Sequence, residues 1–298
     1  YRFTLIFQAE KRSKIMRKSI FGAIASTSLA AMLLLTACGT ADENSSKEET
    51  TGAAATESKA DESYNKIIEA GKLVLGLDAT FKPMGYTDEN DNIVGFDIDL
   101  ATEVCNRLGV KLETYGVNWD TKEIDLDAGT IDCIWNGLSV SPARKEQMLM
   151  SDPYMKNEMI FTVNSDSELK TLDDLKGKTI AVQNGSTAQE ILAKSDLAAD
   201  ITVNELATNV EALNQLEMGM CDAVFLDSVV AKYEINTSKK AFTIMEEGLE
   251  EEEYAIGFRK GDQALCDKVE EVLSEMKADG TVEKISTKWF GSDITTIK

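Results

Sequence analysis

Ile131-Asp-Cys-Ile-Trp-Asn-Gly-Leu-Ser-Val-Ser-Pro-Ala-Arg144 is the stretch on which the fold turns. Its first residues form an apolar run that reads as a buried strand, and Ser141 and Pro142 then supply an N-cap and a first helical position. A strand that ends in small polar residues and runs into a helix start is how an α/β protein builds a binding edge. Arg144 stands one turn into that helix, so the positive charge is expected to hold something at the edge.

Outward from this point, short apolar runs alternate with amphipathic segments, the pattern of α/β architecture. Strands are expected at 72–77, 110–115 and 131–138, with helices at 97–108 and 119–128 between them. The pattern then restarts, with strands at 159–163, 179–183, 201–204 and 222–226 and helices at 187–194 and 209–218. After an acidic stretch, 246–253, come a strand at 254–259, a long helix at 262–277 and a terminal helix at 282–289. Two similar units with an appended end are therefore predicted, and the length of 298 residues suits two domains.

Composition narrows the chemistry. The net charge of −21 argues against a nucleic-acid partner, which needs a basic stripe. Histidine is absent, which removes Ser-His-Asp and Cys-His nucleophiles and His-ligated metals together. The five cysteines, at 38, 105, 133, 221 and 266, contain no CxxC pair, so neither a metal nor a cofactor is expected.

The beginning of the chain reads as an address. Met16-Arg-Lys-Ser19 precedes an apolar run to Leu35, and Leu35-Thr-Ala-Cys38 follows. A basic head, an apolar stretch shorter than a spanning helix and small residues before a cleavage point make a secretory signal over 16–37. Its ending resembles a bacterial lipobox, which implies that Cys38 carries lipid such as palmitate. Residues 1–15 read as upstream sequence outside the real start. Residues 39–61 lack large apolar side chains and read as a flexible linker.

Ligands in open α/β sheets bind beyond the carboxyl ends of strands. Those ends are Asp78-Ala-Thr-Phe81, Asn136-Gly-Leu-Ser139, Gln183-Asn-Gly-Ser-Thr187 and Asp227. Thr187-Ala-Gln-Glu190 matches a capping box. Helix starts favour an anion, and Arg144 can meet a carboxylate through two parallel hydrogen bonds. Taken singly, Ser141 and Thr187 read as caps, Arg144 as a surface charge, and Trp119 and Phe81 as core. Their convergence with isolated carboxylates describes a pocket for a molecule with an anionic and a cationic end.

The motifs Val94-Gly-Phe-Asp-Ile-Asp-Leu100, Gly129-Thr-Ile-Asp132, Ser139-Val-Ser-Pro-Ala-Arg144, Met150-Ser-Asp-Pro-Tyr154, Leu172-Asp-Asp-Leu-Lys-Gly-Lys178, Gly185-Ser-Thr187, Ala278-Asp-Gly-Thr281 and Lys288-Trp-Phe-Gly291 carry a resemblance. In this order and spacing they resemble the family 3 solute-binding proteins, the polar amino-acid receptors of ABC importers. The resemblance implies a two-lobed periplasmic-binding-protein-like fold of type II, joined by two hinge crossovers. Lobe I would span 62–156 plus 254–298, and lobe II 157–253. It implies that Arg144, with backbone groups at Ser139 and at Ser186 and Thr187, holds the ligand carboxylate. Asp227 and a carbonyl at Asn136 or Gly137 would take the ammonium, Phe81 and Trp119 would flank the side chain, and Asp78 would face its polar tip.

The expected function is that of a monomeric lipoprotein, anchored on the extracytoplasmic face of the cell membrane, that hands an amino acid to an ABC permease. Gln, Arg, Lys, His and cystine remain open as ligands. A dehydratase of cyclohexadienyl substrates on the same fold and a sensor-linked ligand-binding subunit are the alternatives. The sequence departs from the family pattern at Asn136-Gly137, at Met150, and at 122–125, which is unusually charged.

Overall fold

The computed structural model describes residues 60–237 and 240–298. The predicted leader, Cys38 and the linker up to residue 59 lie outside the described residues. The fold is two-lobed α/β; ten of its strands share one sheet, and the short strands Thr80–Phe81, Gly85–Thr87 and Ile93–Val94 form a second.

In chain order the principal strands are β1 (Lys72–Leu77), β2 (Lys111–Gly116), β3 (Cys133–Ser139), β4 (Met155–Asn164), β5 (Thr179–Gln183), β6 (Thr202–Leu206), β7 (Ala223–Asp227) and β8 (Glu250–Phe258). The main path of the sheet runs β6-β5-β7-β4-β8-β3-β1-β2. The short strands Leu149–Met150 and Phe242–Ile244 pair alongside it. In one lobe β1 pairs in parallel with β2 and β3; in the other β5 pairs in parallel with β6 and β7. Helices α1 (Phe96–Leu108), α2 (Pro142–Gln147), α3 (Thr187–Lys194), α4 (Asn209–Glu217), α5 (Ser228–Thr237), α6 (Gln263–Ala278) and α7 (Thr281–Phe290) complete the chain's main elements.

Continuous apolar runs make the central strands. Every residue of β3 and of β7 is buried, as expected for strands covered on both faces. Leu73, Leu75 and Leu77 of β1 lie in one cluster with Phe96 and Leu100 of α1 and Leu265 of α6. Met159, Phe161, Ile180, Val182 and Phe225 form a second cluster in the other lobe. Cys105, Cys133, Cys221 and Cys266 are buried free thiols.

The joint between lobes is a ladder of two antiparallel strands. Residues 155–159 of β4 pair with residues 250–254 of β8, in the register Met155↔Tyr254, Asn157↔Glu252 and Met159↔Glu250. Residues facing one another in such a ladder share a side of the sheet. Met155, Asn157 and Met159 are buried, while Lys156 and Glu158 are exposed, so the inward side of the joint is defined by alternation.

Four local expectations change, the first being that the predicted strand 159–163 extends over Met155–Asn164. The predicted strand 254–259 begins at Glu250, because β4 supplies ladder partners for glutamates that read as a loop. The predicted helix 119–128 divides into a 3₁₀ turn, Trp119–Thr121, and a helix, Lys122–Asp127. The capping box expected at Thr187 is displaced by one residue: Ser186 is the N-cap of α3, and its Oγ accepts from Gln189 N at 3.2 Å.

Candidate functional site

Strand ends from both lobes meet in a closed cleft, and Arg144 bridges it. Ser141 caps α2, its Oγ accepting from Arg144 N at 3.2 Å, which fixes the residue at the helix start. The side chain is 3% exposed. Nη1 donates to Ser139 O at 2.9 Å and to Thr187 Oγ1 at 2.7 Å, and Nη2 donates to Gly185 O at 3.3 Å. Because Ser186 does the capping, the Thr187 hydroxyl is available to the guanidinium. Burial pushes Arg144 below the usual arginine value, against the nearby charges of Glu123, Glu190, Glu252 and Asp227.

Asp78 follows β1 and is buried. Its Oδ1 accepts from Thr80 N at 2.9 Å and Thr80 Oγ1 at 2.7 Å, and its Oδ2 accepts from Gln183 Nε2 at 2.7 Å across the cleft. Gln183 also donates to Ala207 O and accepts from Asn209 Nδ2 at 3.0 Å. The sequence reading placed Gln183 at a strand end without assigning it to the site. A glutamine closing the apolar run Ile180–Val182 was the available signal, since glutamine is seldom buried without a partner.

Asn136 and Gly137 act as supports. Asn136 Oδ1 accepts from Asp78 N at 3.0 Å, and Gly137 N donates to Asp97 Oδ2 at 2.8 Å. Gly137 has φ +58°, and a Cβ there would stand 2.8 Å from Phe81 Cε1 and 3.1 Å from the Tyr254 ring. The departure from the family pattern at this pair thus lets the Phe81 ring lie against backbone. Phe81 and Trp119 are both buried.

Asp227 ends β7. Its Oδ1 accepts from Asn157 Nδ2 at 2.9 Å and from Tyr254 OH at 2.5 Å, and burial raises its carboxyl above the usual range. Asn157 and Tyr254 are hinge-ladder residues that sequence reasoning missed, because a ladder partner is visible only once the strands pair.

Lys122 was noted as a departure and proves to be a bridge. It is 2% exposed, with Nζ donating to Trp119 O at 2.9 Å and to Gly185 O at 3.1 Å, and pairing with Glu123 at 2.9 Å. Burial, then the Arg144 charge, brings it down to about 8. Gly185 faces Asp120 so closely that a Cβ would stand 2.6 Å from Asp120 Cα. Among the described residues no cluster of three His, Cys, Asp or Glu could hold a metal ion.

A buried arginine shared between two strand ends, with carboxylates on either side of the same cleft, is the arrangement that the family's motifs imply. The profile of the bacterial extracellular solute-binding proteins, family 3, matches residues 73–292. The chain belongs to that family. Among curated relatives, the L-cystine-binding protein TcyJ of Escherichia coli (strain K12) is 30% identical over 78% of this chain and 87% of its own. The arginine-binding extracellular protein ArtP of Bacillus subtilis (strain 168) is 32% identical over 76% of this chain and 90% of its own. A crystal structure of an ABC uptake transporter substrate-binding protein from Streptococcus pneumoniae with bound histidine superposes with a TM-score of 0.77. It is 35% identical and covers 80% of this chain and 99% of that one. The names of these relatives describe binding proteins rather than the dehydratase alternative.

Proposed function

We propose that this chain is the substrate-binding lipoprotein of an amino-acid ABC importer, taking a polar or basic L-amino acid by closure of its two lobes. The observation that carries the reading is Arg144. A buried guanidinium with protein acceptors on both sides of the cleft still has N–H groups to offer a carboxylate. The free backbone NH groups at the start of α3, beside Thr187, add the positive end of a helix to the same grip.

The lobes are assigned as 62–156 plus 254–298 and 157–253, with both boundaries inside the hinge ladder. In the assigned roles Ser139, Arg144, Ser186 and Thr187 hold the α-carboxylate, and Asp227 with the Asn136 or Gly137 carbonyl holds the ammonium. Phe81 and Trp119 flank the side chain, and Asp78 meets its tip. A carboxylate can accept about four hydrogen bonds, so Asp78 retains room for a ligand donor beside Thr80 and Gln183. That favours arginine, lysine, histidine or glutamine, and the cystine-binding relative keeps cystine among the candidates. The leader at 16–37, lipid at Cys38, the extracytoplasmic membrane face and a permease partner belong to the same proposal. Import is preferred over sensing because the relatives' names assign them to transporters.

A thermal-shift screen of the chain against the twenty amino acids and cystine tests it, because a ligand that binds only the folded state raises Tm. Elevation by one or two polar amino acids is expected. No elevation by any of them overturns the amino-acid reading.

A further inference from the structure

Four consecutive glutamates, Glu250, Glu251, Glu252 and Glu253, open β8, and only Glu252 turns inward. It is the ladder partner of Asn157, whose Nδ2 stands between two carboxylates: Asp227 Oδ1 at 2.9 Å and Glu252 Oε1 at 2.6 Å. The other oxygen, Glu252 Oε2, is buried with no hydrogen-bond partner among the described residues. A desolvated acceptor without a donor costs about 1–3 kcal/mol, more for a charged group. Protonated or ionised, that oxygen marks a place where a hydrogen-bond partner is missing. Asp227 Oδ1, by contrast, already takes two donors, from Asn157 and Tyr254.

We propose that Glu252 is a ligand-contacting residue, completing with Asp227 a two-carboxylate seat for the α-ammonium, and that ligand binding expels one proton from that seat. The inference rests on the reading of the cleft as an amino-acid site. Two adjacent buried carboxylates do not both ionise readily without a counter-cation. In the ligand-free clamp the proton resides on Glu252, which burial and then the Asp227 charge push up to about 8. When an ammonium enters, both carboxylates ionise around it and the proton leaves to solvent. A groove of about 1800 Å³ that reaches Asn157, Thr187, Ser228 and Glu252 offers the way out.

The groups around Glu252 come from every neighbouring element: Asp227 from β7, Asn157 from β4, Ser139 from β3 and Tyr254 from its own strand. Arg144 of α2 is a cation within electrostatic reach, and in the proposed grip it is occupied by the ligand carboxylate when the clamp fills. The ammonium therefore replaces the proton as the charge that neutralises the pair.

Calorimetric titration of the chain with L-arginine, L-glutamine and L-cystine at pH 7, in phosphate and in Tris, counts protons directly, since the two buffers differ in ionisation enthalpy. Release of close to one proton per amino acid bound is expected. For L-arginine, affinity should rise roughly fifty-fold between pH 6 and 8 and then level off, as a group titrating near 8 requires. Glu252→Gln should remove the proton release and the pH slope and weaken binding at least tenfold at pH 8. Wild-type binding with no proton release overturns the proposal while leaving the receptor reading intact, and this measurement needs no variant. Retention of full affinity and slope by Glu252→Gln also overturns it. Failure of the wild-type chain to bind any amino acid overturns the receptor reading itself.

Discussion

Arg144 could have been read as a surface charge; its neighbours decide otherwise. Three acceptors from two sides of the cleft hold its guanidinium in one plane, and a lysine offers no such fork. Arg144→Lys is expected to weaken every amino acid by about a hundredfold, roughly 2.7 kcal/mol at 25 °C, by isothermal titration. Asp78→Asn is expected instead to reorder ligand preference, so its readout is the ratio of affinities for arginine and glutamine. Lys122 makes a third prediction, from pH. Its folded-state value of about 8 lies below the ordinary lysine value of 10.5, so the unfolded chain binds the extra proton between those limits. By linkage its contribution to stability rises with pH through that window, by at most ~3.4 kcal/mol. Compared by urea unfolding at pH 7.5 and pH 10, wild type minus Lys122→Met should therefore increase; a flat difference would place Lys122 in an ordinary solvated environment.

At the scale of elements, much was legible. The buried strand before Asn136, the Ser141-Pro142 helix start and the restart of the pattern near residue 159 identify both halves of the sheet from periodicity and caps. The hinge was harder to read. Four glutamates in a row show no apolar alternation, so the opening of β8, residues 250–253, is recognisable only through its pairing with β4. Lys122 and Gln183 were visible as residues, but their partners lie 63 and 105 positions away in sequence, beyond any local pattern. Asn157 has the same history and a sharp consequence. Asn157→Leu keeps the side-chain size but removes the donor between Asp227 and Glu252, leaving two buried carboxylates facing each other. A loss of about 2 kcal/mol in unfolding free energy is expected, larger at pH 9 than at pH 6, because deprotonation of Glu252 would add repulsion.

For the whole molecule, closure brings backbone against backbone at one place. Gly185 lies where a Cβ would meet Asp120 Cα at 2.6 Å and Trp119 O at 3.0 Å, and its φ of +68° already favours glycine. Gly185→Ala should hold the lobes apart. Small-angle scattering is expected to show wild type contracting on addition of ligand and the variant staying extended, with affinity reduced more than tenfold. Both links between the lobes are strands bonded to each other across residues 155–159 and 250–254, with no loop in the joint. In the proposed clamp such a joint would serve as a leaf spring, bending as one ribbon and resisting sliding or swivelling. Opening would then follow a single arc and leave the ribbon's own hydrogen bonds intact. Hydrogen exchange should accordingly find the amides of the paired joint slow in the empty protein as well as the filled one, while those at Gly185 and Thr187 slow only on filling.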